Sequence, residues 1–221
     1  MNITELQLQT NCLSSQKEFY NKTLGLNILN FNDGSFSVNI GSSTLVFQET
    51  TLKTYYHFAV NIPENKIKEA IAWLCPRVAP IEHEGSPLIN FKNWNAHSVY
   101  FFDAGGNIVE LIARHNLDNS TDKLFGQSHF LCISEVGMPV QNVALFCSLI
   151  EIKLKEKLWS GNTETFAAVG DENGLFIIVT EKRNWFPTEI QSRSFPAKTK
   201  ISSPQVKGAE IREGNYEISS E

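Results

Sequence analysis

Glu5, His57 and Glu110 are metal-ligating residue types set on short runs in which apolar and polar side chains alternate. In ITELQLQ, Leu6 and Leu8 alternate with Glu5, Gln7 and Gln9; in YHFAVNI, Phe58, Val60 and Ile62 alternate with His57, Ala59 and Asn61. Successive strand side chains point to opposite faces, so each run offers one face to a core and keeps Glu5 or His57 on the other. Glu110 lies in NIVELIA, in phase with Ile108 and Ile112 on an otherwise apolar strand. A carboxylate held there needs a partner to offset its lost hydration. A divalent cation would serve, with a buried ion pair to Arg114 or Arg77 as the alternative. For Glu5 the alternative is a solvated carboxylate or one paired with a lysine, and for His57 a hydrogen-bonded structural histidine. His97, just ahead of the run SVYFF, would stand at the mouth of a cleft built on the Glu110 strand as a general acid or base, or else be a solvated loop histidine. Trp94, Tyr100, Phe36 and Phe47 read as core, with one or two available to wall a cleft.

The elements that must position these residues come in repeats. Ile3-Thr-Glu-Leu-Gln-Leu returns as Ile133-Ser-Glu-Val-Gly-Met, and each is followed by an amphipathic segment, LSSQKEFYNKTLG or NVALFCSLIEI. Between them YYHFAV runs into PENKIKEAIAWL, with Ile67, Ile71 and Leu74 at helical spacing. Three alternating runs follow each helix: LNILNFN, SFSVNIG and STLVFQET; then Val78 to His83, HSVYFFD and NIVELIA; then Leu154 to Leu158, TFAAVGD and GLFIIVT. The turns DAGG and DENG join the last pairs as antiparallel hairpins. The unit is βαβββ, repeated over residues 1–50, 51–118 and 119–190, an α+β fold. Residues 191–221 are Ser/Lys/Glu-rich and read as a partly ordered tail.

A strand, a helix and three antiparallel strands, with HFAV and with YFFDAGGNIVEL, resemble the vicinal oxygen chelate superfamily of glyoxalase I, extradiol dioxygenases, fosfomycin resistance proteins and bleomycin-binding proteins. Ala104 stands where the family turn carries proline. The resemblance implies curled mixed sheets around a cleft formed by modules one and two. It implies metal ligands at Glu5, His57 and Glu110, with Val46 at the remaining fourth-strand position and unable to bind metal. Glu5 replaces a usual histidine or glutamine. The implied cofactor is a divalent metal (Mn, Fe, Zn or Ni), with two carboxylates favouring harder cations such as Mn²⁺ or Mg²⁺. In module three Glu135 repeats the first-strand glutamate, while Ile178 takes the fourth-strand position; Glu135 would either complete a cleft formed elsewhere or be a hydrogen-bonded structural residue, and the second is expected. The implied function is a metal-dependent enzyme that chelates two oxygens of a small organic substrate, a dioxygenase or glyoxalase-type lyase. The alternative is a metal-free binding protein of the bleomycin-resistance kind.

Charge and composition narrow the partners. The 221 residues carry a formal charge of -5, and no Lys/Arg run forms a stripe, so nucleic acid is not expected. Apolar stretches such as Leu175 to Val179 are too short to span a membrane, and MNITELQLQT lacks signal-peptide features, which gives a cytoplasmic expectation. Cys12, Cys75, Cys132 and Cys147 form no CxxC pair and read as reduced packing residues. An unpaired third module would expose an apolar face, from which a homodimer is expected.

Overall fold

A computed structural model describes residues 1–221 apart from Asp33. Module one consists of β1 (Asn2–Thr10), α1 (Leu13–Glu18), β2 (Ile28–Asn32), β3 (Ser35–Ile40) and β4 (Ser43–Glu49). Module two has β5 (His57–Ile62), α2 (Ile67–Leu74), the short β6 (Pro80–Ile81) and β7 (Ile89–Phe91), then β8 (Ala96–Phe102) and β9 (Ile108–Arg114). Module three has β10 (Cys132–Val140), α3 (Val143–Leu154), β11 (Leu158–Gly161), β12 (Phe166–Asp171) and β13 (Gly174–Thr180). In all three the first strand pairs in parallel with the last, which returns antiparallel from its predecessor. The strand expected from Leu154 to Leu158 starts later, because Leu154 is the buried last residue of α3.

The pairing of modules differs from expectation. Modules two and three join edge to edge through antiparallel β5 and β10, with Ala59 opposite Glu135, and make a nine-stranded sheet. Module one joins instead the C-terminal strands β14 (Ala197–Ser202), β15 (Glu210–Glu213) and β16 (Tyr216–Ser220) in a seven-stranded sheet. The cleft expected between modules one and two is therefore corrected to modules two and three, and the expected tail is corrected to three paired strands. β14 pairs with β1 antiparallel and with β16 in parallel, as a module would that had lost its helix. Composition hid this segment. Ala197, Thr199 and Ile201 are buried while Lys198 and Lys200 are exposed, a period-two pattern inside a Lys/Ser-rich run. The third module's first strand is paired with β5 within the chain.

The two sheets share one core that includes the helices. Leu6, Leu8, Val38 and Phe47 from one sheet and Phe58, Ile62, Leu111, Met138 and Ile178 from the other belong to it, all essentially inaccessible. Burying each such side chain contributes about 1.5–3 kcal/mol. The DAGG turn also ties the sheets together: Asp103 Oδ1 accepts the backbone N–H groups of Gly105 and Asn107, and Oδ2 accepts Tyr20 Oη–H at 2.9 Å and the Gln16 side-chain amide. Ser43 Oγ donates to Ile3 O at 2.6 Å and accepts Ile133 N–H at 2.9 Å. The core-facing sides thus lock together and leave the opposite faces outward.

Candidate metal centre

The outward face of the nine-stranded sheet gathers His57 from β5, Glu110 from β9 and Glu135 from β10. Each is buried, and one donor atom from each lies within 4.8 Å of the others. Strand register accounts for the meeting. β5 lies between β9 and β10, Ala59 is the Cα partner of both Glu110 and Glu135, and His57 stands two residues along on the same face. His57 Nε2 lies 3.7 Å from Glu110 Oε2 and 3.9 Å from Glu135 Oε2.

Outer partners occupy the other atoms of this trio. His57 Nδ1 donates to Ile108 O at 3.2 Å, which turns Nε2 toward the two glutamates. Ser98 donates its hydroxyl to Glu110 Oε1, and Arg114 donates Nη2 to Glu135 Oε1. Arg114 is fully buried, and its Nε donates to Asn61 Oδ1 at 3.2 Å. The atoms left over, Nε2 and two Oε2, converge. Ligand bonds of about 2.0–2.2 Å place neighbouring donors roughly 3.0–3.5 Å apart, so the donors would have to draw together to close on a divalent cation. The donor set fits such an ion.

Electrostatics agree with a site short of positive charge. Burial, then the charge of Glu135, raises the Glu110 pKa to about 7 against the opposing pull of His57 and the hydrogen bonds of Ser98 and Tyr100. For His57, burial works to lower the pKa, but the two glutamates outweigh it and hold the imidazole above its ordinary value. Burial and the same carboxylates push the Tyr100 phenol well up, so it stays a proton donor. These groups floor a cavity of about 330 Å³ walled by Phe91, Trp94, Tyr100, Phe166, Trp185 and Phe186, with Arg183 also on its lining.

Of the residues singled out from sequence, His57 and Glu110 come together here and Glu5 does not. Glu5 lies on the other sheet and pairs with Lys200 at 3.0 Å, so the expected grouping of Glu5 with His57 and Glu110 is corrected: the third member of the cluster is Glu135. The structural role expected for Glu135 is realised through Arg114, yet its second oxygen points at the cluster. His97 is corrected as well. It belongs to β8, where Ser98 and Tyr100 face the cleft, so alternation sends His97 to the opposite face, with Nδ1 2.7 Å from His115 Nε2. The module-three position matching Glu110 is Ile177 rather than Ile178, because Gly137 pairs with Ile177. Trp94 and Tyr100 do wall the cleft, while Phe36 and Phe47 are core. Ser98, Arg183, Trp185 and Phe186 were missed as site residues, and Arg114, named as a possible partner of Glu110, pairs with Glu135 instead; Ser98 was open to detection, facing Glu110 from the paired strand.

No family model matches the chain, and no curated protein matches it by sequence. Among solved structures, a putative dioxygenase from Bacillus subtilis subsp. subtilis str. 168 is similar at 13% identity and a TM-score of 0.57, covering 100% of this chain and 85% of that one. Glyoxalase I from Zea mays is similar at 14% identity and a TM-score of 0.58, covering 90% of this chain and 74% of that one. At these identities the likeness establishes the fold alone: the paired βαβββ modules of this chain share the architecture of these two structures.

Proposed function

We propose that this chain is a metal-dependent enzyme in which His57, Glu110 and Glu135 hold a divalent cation at the floor of the aromatic cavity. The substrate is a small organic molecule that presents two adjacent oxygens. The observation that carries this reading is the division of labour within the trio: each side chain has one donor fixed by a neighbour and one donor left facing the common point. Two carboxylates and one imidazole favour a hard cation such as Mn²⁺ or Mg²⁺ over softer choices. A bound cation would supply Lewis acidity to negative charge developing on a substrate oxygen. The chain's own groups do the rest. The aromatic walls exclude water, Tyr100 holds a proton at Oη for a substrate oxygen, and Ser98, Arg114 and Ile108 O keep the trio oriented. Dioxygenase and glyoxalase-type lyase activities are the versions to assay.

A metal-free binding protein is the second reading. Arg114 favours it, since its guanidinium already neutralises one of the two carboxylates. Calorimetric titration of chelator-treated protein with Mn²⁺, Fe²⁺, Zn²⁺ and Ni²⁺ decides between them. Stoichiometric binding of one cation that disappears in His57→Ala supports the enzyme, as does turnover of catechol with O₂ or of methylglyoxal with glutathione by loaded protein only. No cation binding by the folded wild type would leave the binding protein.

A further inference from the structure

Between β13 and β14 the chain bends back over the cavity. Lys182 N–H donates to Ser192 O at 2.9 Å, Ser192 N–H to Arg183 O at 2.7 Å and Trp185 N–H to Ile190 O at 2.8 Å, while Ser192 Oγ donates to Thr180 O at 3.0 Å. This strap, which lies outside the repeats, supplies the outer wall. The Trp185 ring lies 5.1 Å from that of His57 and fills space that Gly137 leaves free, since a Cβ on Gly137 would fall 2.6 Å from the indole. Phe186 meets Phe91 and Tyr100 edge-on at 5.7 and 6.2 Å. Arg183 is held over the face of Phe166, Cζ 5.1 Å from the ring centre, and its side chain makes no ion pair and no hydrogen bond among the described residues.

We propose that the cavity takes a planar aromatic ligand bearing an anionic group, with the ring between the aromatic walls and the anion on Arg183, which is thus a specificity-determining residue. The inference rests on this cavity being the substrate site and makes no use of its metal chemistry. A cavity of about 330 Å³ is at the low end of small-molecule pockets, the size for one or two rings. Charge sets the orientation: at the floor the guanidinium of Arg114 is already taken by Glu135, while Arg183 at the strap makes no ion pair among the described residues and is left for an anion. A guanidinium lying over a ring keeps its planar fork available for a carboxylate.

Calorimetry on metal-free, full-length protein compares 2-naphthoate with its neutral counterpart 2-naphthylmethanol. The wild type should bind the carboxylate about tenfold more tightly or better, as a charge-assisted bidentate contact requires. Arg183→Gln should bring the two within about twofold by weakening the carboxylate alone, and Arg183→Lys should keep part of the preference. Equal affinities in the wild type, binding of neither compound, or a preference that survives in Arg183→Gln would overturn the proposal. Because no cation is present, failure of metal binding leaves this result standing, and failure here leaves the metal reading standing.

Discussion

The two sheets answer the same problem in opposite ways. Glu5 and Glu135 occupy matching places in the repeat, each just past a register shift in its strand, between Ile3 and Glu5 or between Ile133 and Glu135. Across the antiparallel junction Glu5 faces Lys200, whereas Glu135 faces Ala59. By the same register Lys198 stands where the other sheet has His57. The seven-stranded sheet thus neutralises its outward carboxylates with lysines at the surface, Lys200 on Glu5 and Lys198 on Glu217. The nine-stranded sheet puts alanine at that place, draws charge from a buried arginine instead, and covers the trio with aromatic rings. A glutamate at one repeat position is therefore a surface ion pair or a candidate ligand according to the strand laid against it.

Removing Glu135 should break this comparison hardest. Glu135→Ala leaves the fully buried Arg114 without its counter-charge, and urea unfolding should show a loss of about 3–5 kcal/mol. Glu5→Ala, whose partner Lys200 is half exposed, should cost about 1 kcal/mol or less in the same measurement. Comparable losses would erase the distinction.

Metal affinity should separate the sheets next. His57→Ala and Glu110→Gln should each weaken Mn²⁺ binding by about a hundredfold or more, with far-ultraviolet dichroism unchanged, while Glu5→Gln leaves affinity within about twofold. A loss of affinity in Glu5→Gln would place the ion on the other sheet.

The pH dependence sharpens the electrostatic half of the argument. A cation needs Glu110 as carboxylate, and the metal-free group holds its proton up to about pH 7. Mn²⁺ affinity should fall as pH drops through about 7, by roughly tenfold per unit for the proton on Glu110 and more steeply where His57 must give up its proton as well, in calorimetric titrations. For the metal-free fold the sign reverses. Glu110 and His57 both hold protons more firmly folded than unfolded, so their contribution favours the fold at low pH; that of Glu110 is lost as pH rises through about 7, and that of His57 as pH rises through its own raised pKa. Thermal unfolding with and without Mn²⁺ should show the two opposite trends.

The smallest effect belongs to the lysine ladder. Lys200→Ala should shift stability by about 0.2–1 kcal/mol, and by less in high salt, when followed by thermal melting.

Much of this was legible in the chain. Alternation in YHFAVNI and the phase of Glu110 placed both residues on one outward face, and the βαβββ unit followed from its repeats. Which modules pair was not legible, because edge-to-edge joining is decided by long-range fit that local patterns do not encode. Residues 197–220 show why: their core-facing residues Ile201, Ile211 and Ile218 are spaced singly among Lys, Ser and Glu, so local composition outweighed a sound period of two. Glu135 carried the right repeat position, and only the mispairing of modules kept it out of the ligand set. The strap had no signal, since it belongs to no repeat.

The order in which the strands pair along the chain has a kinetic consequence. Every strand of the cleft-bearing sheet lies between His57 and Thr180, whereas β1 must wait for β14, nearly the whole chain away. Closing so long a loop carries the largest entropy cost in the molecule and slows the contacts that depend on it. The cleft-bearing half can therefore condense as an inner unit, with the outer sheet shut afterwards like a clasp. The strap between them, anchored at Thr180 on one sheet and running into Ala197 on the other, is drawn taut across the cavity only when that clasp closes.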